Sequence, residues 1–276
     1  MKNPILVIDA NYIGYRALFT TGPLEYKGRP TGVIYGVFSQ TFTLLEKFRP
    51  SNIVFCWDSR NSLRRKRMPT YKSGRHGKDG PAKELLDAFN QFNLLREEIL
   101  PRIGIVNNFY ADGYEADDII ARIVMDYPEN CVICSSDDDL LQLLGFAPIF
   151  NLGRKELVTE KEFRKKWGLS PAQWADVKTL AGCSGDSVPG LPGIGEKTAA
   201  AFLTGTLKEN SKKWQIIKNA SEEFLQLNRW LVSLPLPGTP SFSIKPNQFS
   251  QFEFERVCKS FGFHKLKGKE EWAMYL

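Results

Sequence analysis

The chain has 276 residues, enough to bury a substantial core as one large domain or two modest ones. Its apolar fraction of 42% and charged fraction of 25% are those of an ordinary soluble protein and argue against a disordered or fibrous chain; no run approaches the ~18 apolar residues of a membrane span, and Met1-Lys2-Asn3-Pro4 leads into an apolar strand without signal-peptide architecture. A net charge of +6 points toward a polyanionic partner, five scattered cysteines fit a reducing compartment better than a disulfide framework, and two histidines leave little material for Ser-His-Asp or Cys-His chemistry.

In chain order, Ile5–Asp9 reads as a strand buried on both faces. Thr31–Phe48 has helical spacing and ends before Pro50. Ile53–Trp57 is a second strand, and the stretch from about Pro81 to Leu100 a long amphipathic helix. Gly104–Val106 is expected to form a third strand, followed by a helix over Tyr114–Tyr127, a strand at Cys131–Ser135, a helix from Asp137 to Leu144 and a strand at Ala147–Phe150. Strands alternating with helices imply a parallel α/β sheet. Cys131 and Cys134 sit three apart within a strand and so face opposite sides, with no second pair to complete a zinc site. After about Leu152 the pattern turns helical: Thr159–Trp167 opens with a T-x-x-E capping box, then come Ser170–Ala181, a Gly/Pro-rich segment and further helices to about Leu231. Leu234–Pro246 reads as an extended connector and Phe252–Phe261 as a last helix.

Three constellations carry chemistry. Carboxylates cluster at Asp9, at Asp58, at Glu115-Ala-Asp117-Asp118 and at Asp137, Asp138 and Asp139. The first, second and fourth follow apolar β-branched runs, and ligands of open parallel sheets bind outside the carboxyl ends of the strands. Any one cluster could simply satisfy a helix macrodipole; four of them on one edge need cations, and all-oxygen ligands suit Mg²⁺ or Mn²⁺. Directly after Asp58, residues 60–78 read RNSLRRKRMPTYKSGRHGK, a basic stretch suited to phosphate contacts, in which Tyr71 could stack on an unpaired base; a solvated loop is the bland alternative. Pro189–Thr198 reads PGLPGIGEKT, a Gly-built turn into a helix. Glu196 intervenes between Gly195 and Lys197 and no strand precedes, which excludes a nucleotide-hydrolysing loop. The pattern fits a hairpin that grips a DNA backbone without reading sequence.

The order VIDAN, FCWDSR, YKSGR, GYEADD, SSDDDLLQL and LPGIGEKTA resembles the 5′-nuclease family. These are the flap endonucleases and 5′→3′ exonucleases of bacteria and phages, including the amino-terminal nuclease domain of bacterial DNA polymerase I. The resemblance runs from Ile5 to about Leu203. It implies a PIN-like α/β domain with a mainly parallel sheet over 1–168, bearing a basic arch at about 60–80. A helical helix-three-turn-helix subdomain and tail would follow over 169–276. By the same resemblance, Asp9, Asp58, Glu115, Asp117 and Asp118 form or adjoin a first metal site, and Asp137, Asp139 and Asp186 serve a second. Mg²⁺ or Mn²⁺ would be held there, as many as two ions. Lys72 and Arg75 would contact the scissile phosphate; Arg64, Arg65, Lys66, Arg67 and Tyr71 would belong to the arch. The region of Gly190, Gly193, Gly195, Lys197 and Thr198 would hold duplex DNA and bind K⁺.

The implied function is metal-dependent hydrolysis of DNA at a 5′ flap, 5′ overhang or junction, by a monomer in the cytoplasm of a bacterium or phage-infected host, with no membrane partner. No polymerase domain accompanies it, so a stand-alone member is expected. The family usually shows Gly-Asp-x-x-Asp-Asn before the Pro-Gly; here Gly182-Cys183-Ser184-Gly185-Asp186-Ser187 puts a thiol in place of the first aspartate. A thiol is a poor partner for Mg²⁺, which raises a second reading, a junction-binding protein with weakened cleavage. Asp138 stands where the family often has lysine and is taken as a bystander. A PIN-like ribonuclease would account for the acidic edge but not for the hairpin.

Overall fold

A computed structural model describes residues 3–75, 83–128 and 130–266. The chain opens with β1 (Ile5–Asp9), which runs straight into α1 (Ala10–Thr21) because Asp9 caps it, accepting the Tyr12 N–H at 2.9 Å. This helix was not anticipated from the sequence. A small hairpin, β2 (Glu25–Tyr26) and β3 (Arg29–Pro30), precedes α2 (Gly32–Phe48) and β4 (Asn52–Trp57). The basic stretch contributes a five-residue α3 (Leu63–Arg67), capped by Ser62, and a 3₁₀ turn at Ser73–Arg75. His76, Lys78 and the start expected near Pro81 lie outside the described residues. Then α4 (Lys83–Leu94) passes through a π turn at Leu95–Ile99 into α5 (Leu100–Arg102), one long helix as the spacing predicts.

The third strand differs from expectation. Gly104–Val106 does not pair; β5 is Asn108–Tyr110. Ile105 is buried, but Gly104, at φ +84°, lies against the backbone of Gln248, where an added Cβ would come within 1.8 Å of the carbonyl oxygen. Burial there comes from a C-terminal strap rather than from a ladder, which is why apolar composition misplaced the strand. Next are α6 (Ala116–Asp126) and β6 (Cys131–Cys134). The helix expected from Asp137 is a 3₁₀ segment, Asp138–Leu143, started by Asp137, whose carboxylate accepts the Asp139 N–H at 2.8 Å. The last two strands are β7 (Ile149–Asn151) and a short, largely exposed edge, β8 (Glu156–Val158). Helices α7 (Glu160–Trp167), with its Thr159–Glu162 capping box, and α8 (Trp174–Ala181) follow. Then come α9 (Glu196–Leu203), α10 (Lys212–Lys218), α11 (Glu222–Val232) and α12 (Gln251–Phe261).

The six-stranded sheet has the order β5-β4-β1-β6-β7-β8, parallel except for the antiparallel pair β7–β8. From β1 the chain builds outward through β4 to β5, then returns to the other side of β1 with β6. The switch point therefore lies at the carboxyl ends of β1 and β6, where open α/β sheets bind ligands. Alternation along the strands divides the core. Leu6, Ile8, Ile53, Phe55 and Trp57 face α1, α2, α4 and α12, whereas Val7, Val54 and Cys56 face α6, α8 and α9. No described helix is long and apolar enough to cross a membrane.

Candidate active site

Four elements deliver carboxylates to the switch point. Asp9 ends β1 and is 6% exposed, with Oδ2 accepting from Ser135 Oγ at 2.8 Å. Asp58 follows β4; its Oδ1 accepts the Ala116 N–H at 2.8 Å, and its own N–H donates to Asn11 Oδ1 at 2.9 Å. Asp117 lies in the first turn of α6, and Asp137 follows β6. Burial first, then the charge of Asp58, raises the Asp9 carboxyl to about 7. Burial and Asp139 lift Asp137 to about 6. Burial and the charges of Asp137 and Asp9 push Asp117 well above the carboxylate range. Among the described residues no lysine or arginine forms an ion pair with Asp9, Asp117 or Asp137. This is a crowded basin of oxygen donors that raise one another's pKa, the donor chemistry of a hard divalent cation.

Glu115 and Asp118, read from the sequence as companions of Asp117, serve differently. Asp118 is fully buried and saturated. It accepts two guanidinium bonds from Arg64 (2.6 and 2.8 Å), the Glu115 N–H at 3.0 Å and the Leu236 N–H at 2.8 Å. It has no lone pair left for a metal, and its assignment as catalytic is corrected to a structural anchor. Arg64 is corrected with it. At 2% exposure it cannot reach DNA; its Nε and Nη2 donate to the carbonyls of Leu231 and Ser233 at 2.7 and 3.0 Å. Its neighbours on α3, Arg65, Lys66 and Arg67, are exposed.

Tyr71 is also misread as a stacking aromatic. It is 2% exposed, and its hydroxyl lies 2.9 Å from Glu115 Oε2 and 2.8 Å from Asp186 Oδ2. Lys72, at φ +56°, places its Nζ 2.9 Å from Glu115 Oε2 and 3.7 Å from Asp186 Oδ2. Burial opposes ionisation of Glu115, but Lys72 and Arg64 outweigh it and hold the carboxyl at about 2. Glu115 is thus an anion at neutral pH that positions Lys72 beside the basin, rather than one of the carboxylates whose pKa the crowding raises. The side chain of Arg75 lies outside what the structure describes.

Asp139 and Asp186 form a second cluster with Cys183, their ligand atoms all within 4.8 Å of one another. The Cys183 thiol donates to Asp139 Oδ2 at 3.4 Å, and burial with the charges of Asp139 and Asp186 pushes it up to about 12. Lys178, which the sequence reading missed, reaches in from α8: its Nζ is 3.0 Å from Asp139 Oδ1 and 2.9 Å from Glu196 Oε1. The available signal was a lone lysine in the apolar run of WADVKTLA, four residues ahead of the Gly-Cys turn.

In the hairpin, Gly190 packs against α8, where an added Cβ would meet the Ala181 carbonyl at 2.1 Å. Its glycine serves that close approach rather than DNA. Gly193 and Gly195, by contrast, have open space around them, and with exposed Lys197 they present the start of α9 outward. Thr198 is half-buried beside Lys213.

These shifts predict how the stability of the metal-free protein depends on pH. Between about pH 4 and 7 the folded chain keeps protons on Asp9 and Asp137 that the unfolded chain has lost, so their contribution to stability falls progressively from about pH 4 and is gone above 6 and 7. Glu115 works oppositely: its contribution is present above about 4.5 and lost toward 2. In chelator, the melting temperature is expected to peak near pH 4 and fall by pH 8. A circular-dichroism melting series would contradict the basin's charge state if the temperature rose over that interval.

A family profile described as "5'-3' exonuclease, N-terminal resolvase-like domain" matches residues 4–168. The 5'-3' exonuclease of Bacillus subtilis is 32% identical, over 98% of this chain and 95% of its own. That of Aquifex aeolicus is 32% identical, over 83% of this chain and 81% of its own. Among solved structures, the T5 5'-exonuclease with bound zinc ions has a TM-score of 0.67 at 23% identity, covering 84% of this chain and 89% of its own. The catalytic core of Rad2 in complex with DNA substrate has a TM-score of 0.61 at 15% identity, covering 100% and 92%. At those identities the structural likeness is one of fold. The profile match over more than half the chain, together with relatives aligned along most of their length, shows that this chain belongs to the 5′-3′ exonuclease family and is a hydrolytic nuclease.

Proposed function

We propose that the chain is a metal-dependent, structure-specific 5′ nuclease. Its substrate is DNA near the junction of a 5′ single strand with duplex, as a flap endonuclease, a 5′→3′ exonuclease or both, and it works as a monomer. The observation that carries this reading is the basin of Asp9, Asp58, Asp117 and Asp137, delivered by four elements to the sheet's switch point, with Lys72 held at its rim. Those four carboxylates would hold Mg²⁺, or Mn²⁺ in its place. A divalent cation bound there supplies charge stabilisation for the phosphate and an acidified water as nucleophile.

The chain's own residues then have distinct tasks. Lys72 offers its ammonium to the scissile phosphate, drawing on a position fixed by Glu115, Tyr71 and Asp186. Arg75, at the end of the 3₁₀ turn that follows Lys72, is the second candidate for that phosphate. Arg65, Lys66 and Arg67 line the approach of the 5′ strand. Gly193, Gly195, Lys197 and Thr198 hold the duplex by its backbone, independent of sequence. Addition of water across the P–O bond leaves a 5′-phosphate on one product and a 3′-hydroxyl on the other. The junction-binding alternative rests on Cys183, which lies in the second cluster and leaves the basin intact.

The test is cleavage of a 5′-labelled flap DNA with Mg²⁺, with Mn²⁺ and with EDTA, in the natural chain and in Lys72→Ala. Cleavage is expected with either metal and absent in EDTA. Lys72→Ala is expected to be about 10²-fold slower while its flap affinity in EDTA changes only a few-fold. Cleavage that persists in EDTA, or a Lys72→Ala protein as fast as the natural chain, would sink the reading.

A further inference from the structure

We propose that Lys178 stands in for a second divalent ion, so that the protein pairs one metal ion with one built-in ammonium. The inference rests on the assignment of the metal basin to Asp9, Asp58, Asp117 and Asp137, and concerns the neighbouring cluster of Asp139, Cys183 and Asp186.

That cluster has the shape of a three-ligand site, its donor atoms within 4.8 Å of one another. Both of its carboxylates, however, already have an ammonium beside them. Asp139 pairs electrostatically with Lys178 Nζ, 3.0 Å from Oδ1, although that oxygen accepts no hydrogen bond, and its Oδ2 accepts from the Cys183 thiol at 3.4 Å. Asp186 receives the Tyr71 hydroxyl at 2.8 Å and has Lys72 Nζ at 3.7 Å. Each of the two carboxylates thus has an ammonium beside it, Lys178 being shared with Glu196 and Lys72 with Glu115, and the third ligand position holds a thiol where a hard cation needs an oxygen anion. The contrast with the first basin lies in the partners: there, among the described residues, Asp9, Asp117 and Asp137 have no ion pair.

Lys178 is placed for this task. It is 8% exposed and packs with its Nζ 5.5 Å from the centre of the Trp174 ring. Glu196, the first residue of α9, takes its other side at 2.9 Å. A second dication entering the cluster would have to displace an ammonium bound to two carboxylates and strip a proton from a thiol. The same contacts tie α8 to the start of the hairpin helix, so the fixed cation also links the acidic edge to the element proposed to hold duplex DNA.

The experiment counts ions rather than turnover. The full chain is titrated with Mn²⁺ and free Mn²⁺ is followed by electron paramagnetic resonance, with folding of each variant checked by circular dichroism. The natural chain is expected to bind one Mn²⁺. The ion should be lost in Asp117→Asn and retained with unchanged affinity in Asp139→Asn. The double variant Lys178→Met with Cys183→Asp, which removes the ammonium and restores a carboxylate, is expected to bind two. Two ions on the natural chain, loss of the single ion in Asp139→Asn, or a folded double variant that still binds one would each overturn the proposal. If the double variant does not fold, the Asp139→Asn comparison decides alone. No ion on the natural chain would refute the metal basin itself, and this inference with it.

Discussion

Replacing Asp117 with Asn is expected to slow cleavage by about 10³-fold, or ~4 kcal/mol of transition-state stabilisation, while DNA affinity in EDTA is preserved. The substitution keeps the shape of the side chain and removes one charge from a set that is repelling itself. Asp117 is pushed upward by burial and by Asp137 and Asp9, and it has no ion pair among the described residues. The same change should therefore leave the metal-free melting temperature unaltered or raise it, because repulsion is relieved. Losing rate while gaining metal-free stability is the signature of a residue kept for its charge. Single-turnover cleavage, flap binding in chelator and a melting curve are the three measurements. Rate and binding falling together by the same factor would count against the assignment.

Arg64→Met is expected to act in the opposite sense, costing about 3–5 kcal/mol of stability with little change in the DNA affinity of the folded protein. The mechanism is an orphaned charge. Asp118 is fully buried and receives both guanidinium bonds of Arg64, so removing the cation strands a carboxylate in the core. The carbonyls of Leu231 and Ser233 lose their donors as well. For a chain of this size the melting temperature should fall by roughly 10 °C. Adding Asp118→Leu should recover part of the loss, since an apolar pair avoids the desolvation that a lone carboxylate suffers. A loss of DNA affinity without a fall in melting temperature would restore Arg64 to the arch.

The contrast between these two variants marks where the sequence was readable and where it was not. Strand runs such as Ile5–Asp9 and Ile53–Trp57 declare themselves because both faces are buried, and each hands its final carboxylate to the edge. The convergence of Asp9, Asp58, Asp117 and Asp137 follows from that rule and from the position of α6. Legibility fails where one residue type has two environments. Arg64 and Arg65 are adjacent in an unbroken basic run, yet one is sealed in the core and the other exposed, because a helix of one turn and a half points successive side chains about 100° apart. Glu115, Asp117 and Asp118 are likewise three acids within four positions: one answers Lys72, one joins the basin and one anchors Arg64. Lys178 was missed for the related reason that its partners, Asp139 and Glu196, lie 39 positions before it and 18 after it. Ile105 shows the complementary error, since a buried apolar residue need not belong to a ladder when another segment covers it.

That covering segment has a consequence for how the molecule divides its labour. Residues 245–250 cross the amino-terminal ends of β4 and β5. Asn247 donates to Asn52 and to the Ile53 carbonyl, Gln248 donates to Gly104 and Ser250 to Ile103. The rim bearing the carboxylates is the opposite one. The chain is therefore buckled underneath and open above, like a cup stitched at its base. Loops at the mouth can change length and charge to suit different nucleic-acid ends without loosening the seam, and the seam can tighten without disturbing the mouth.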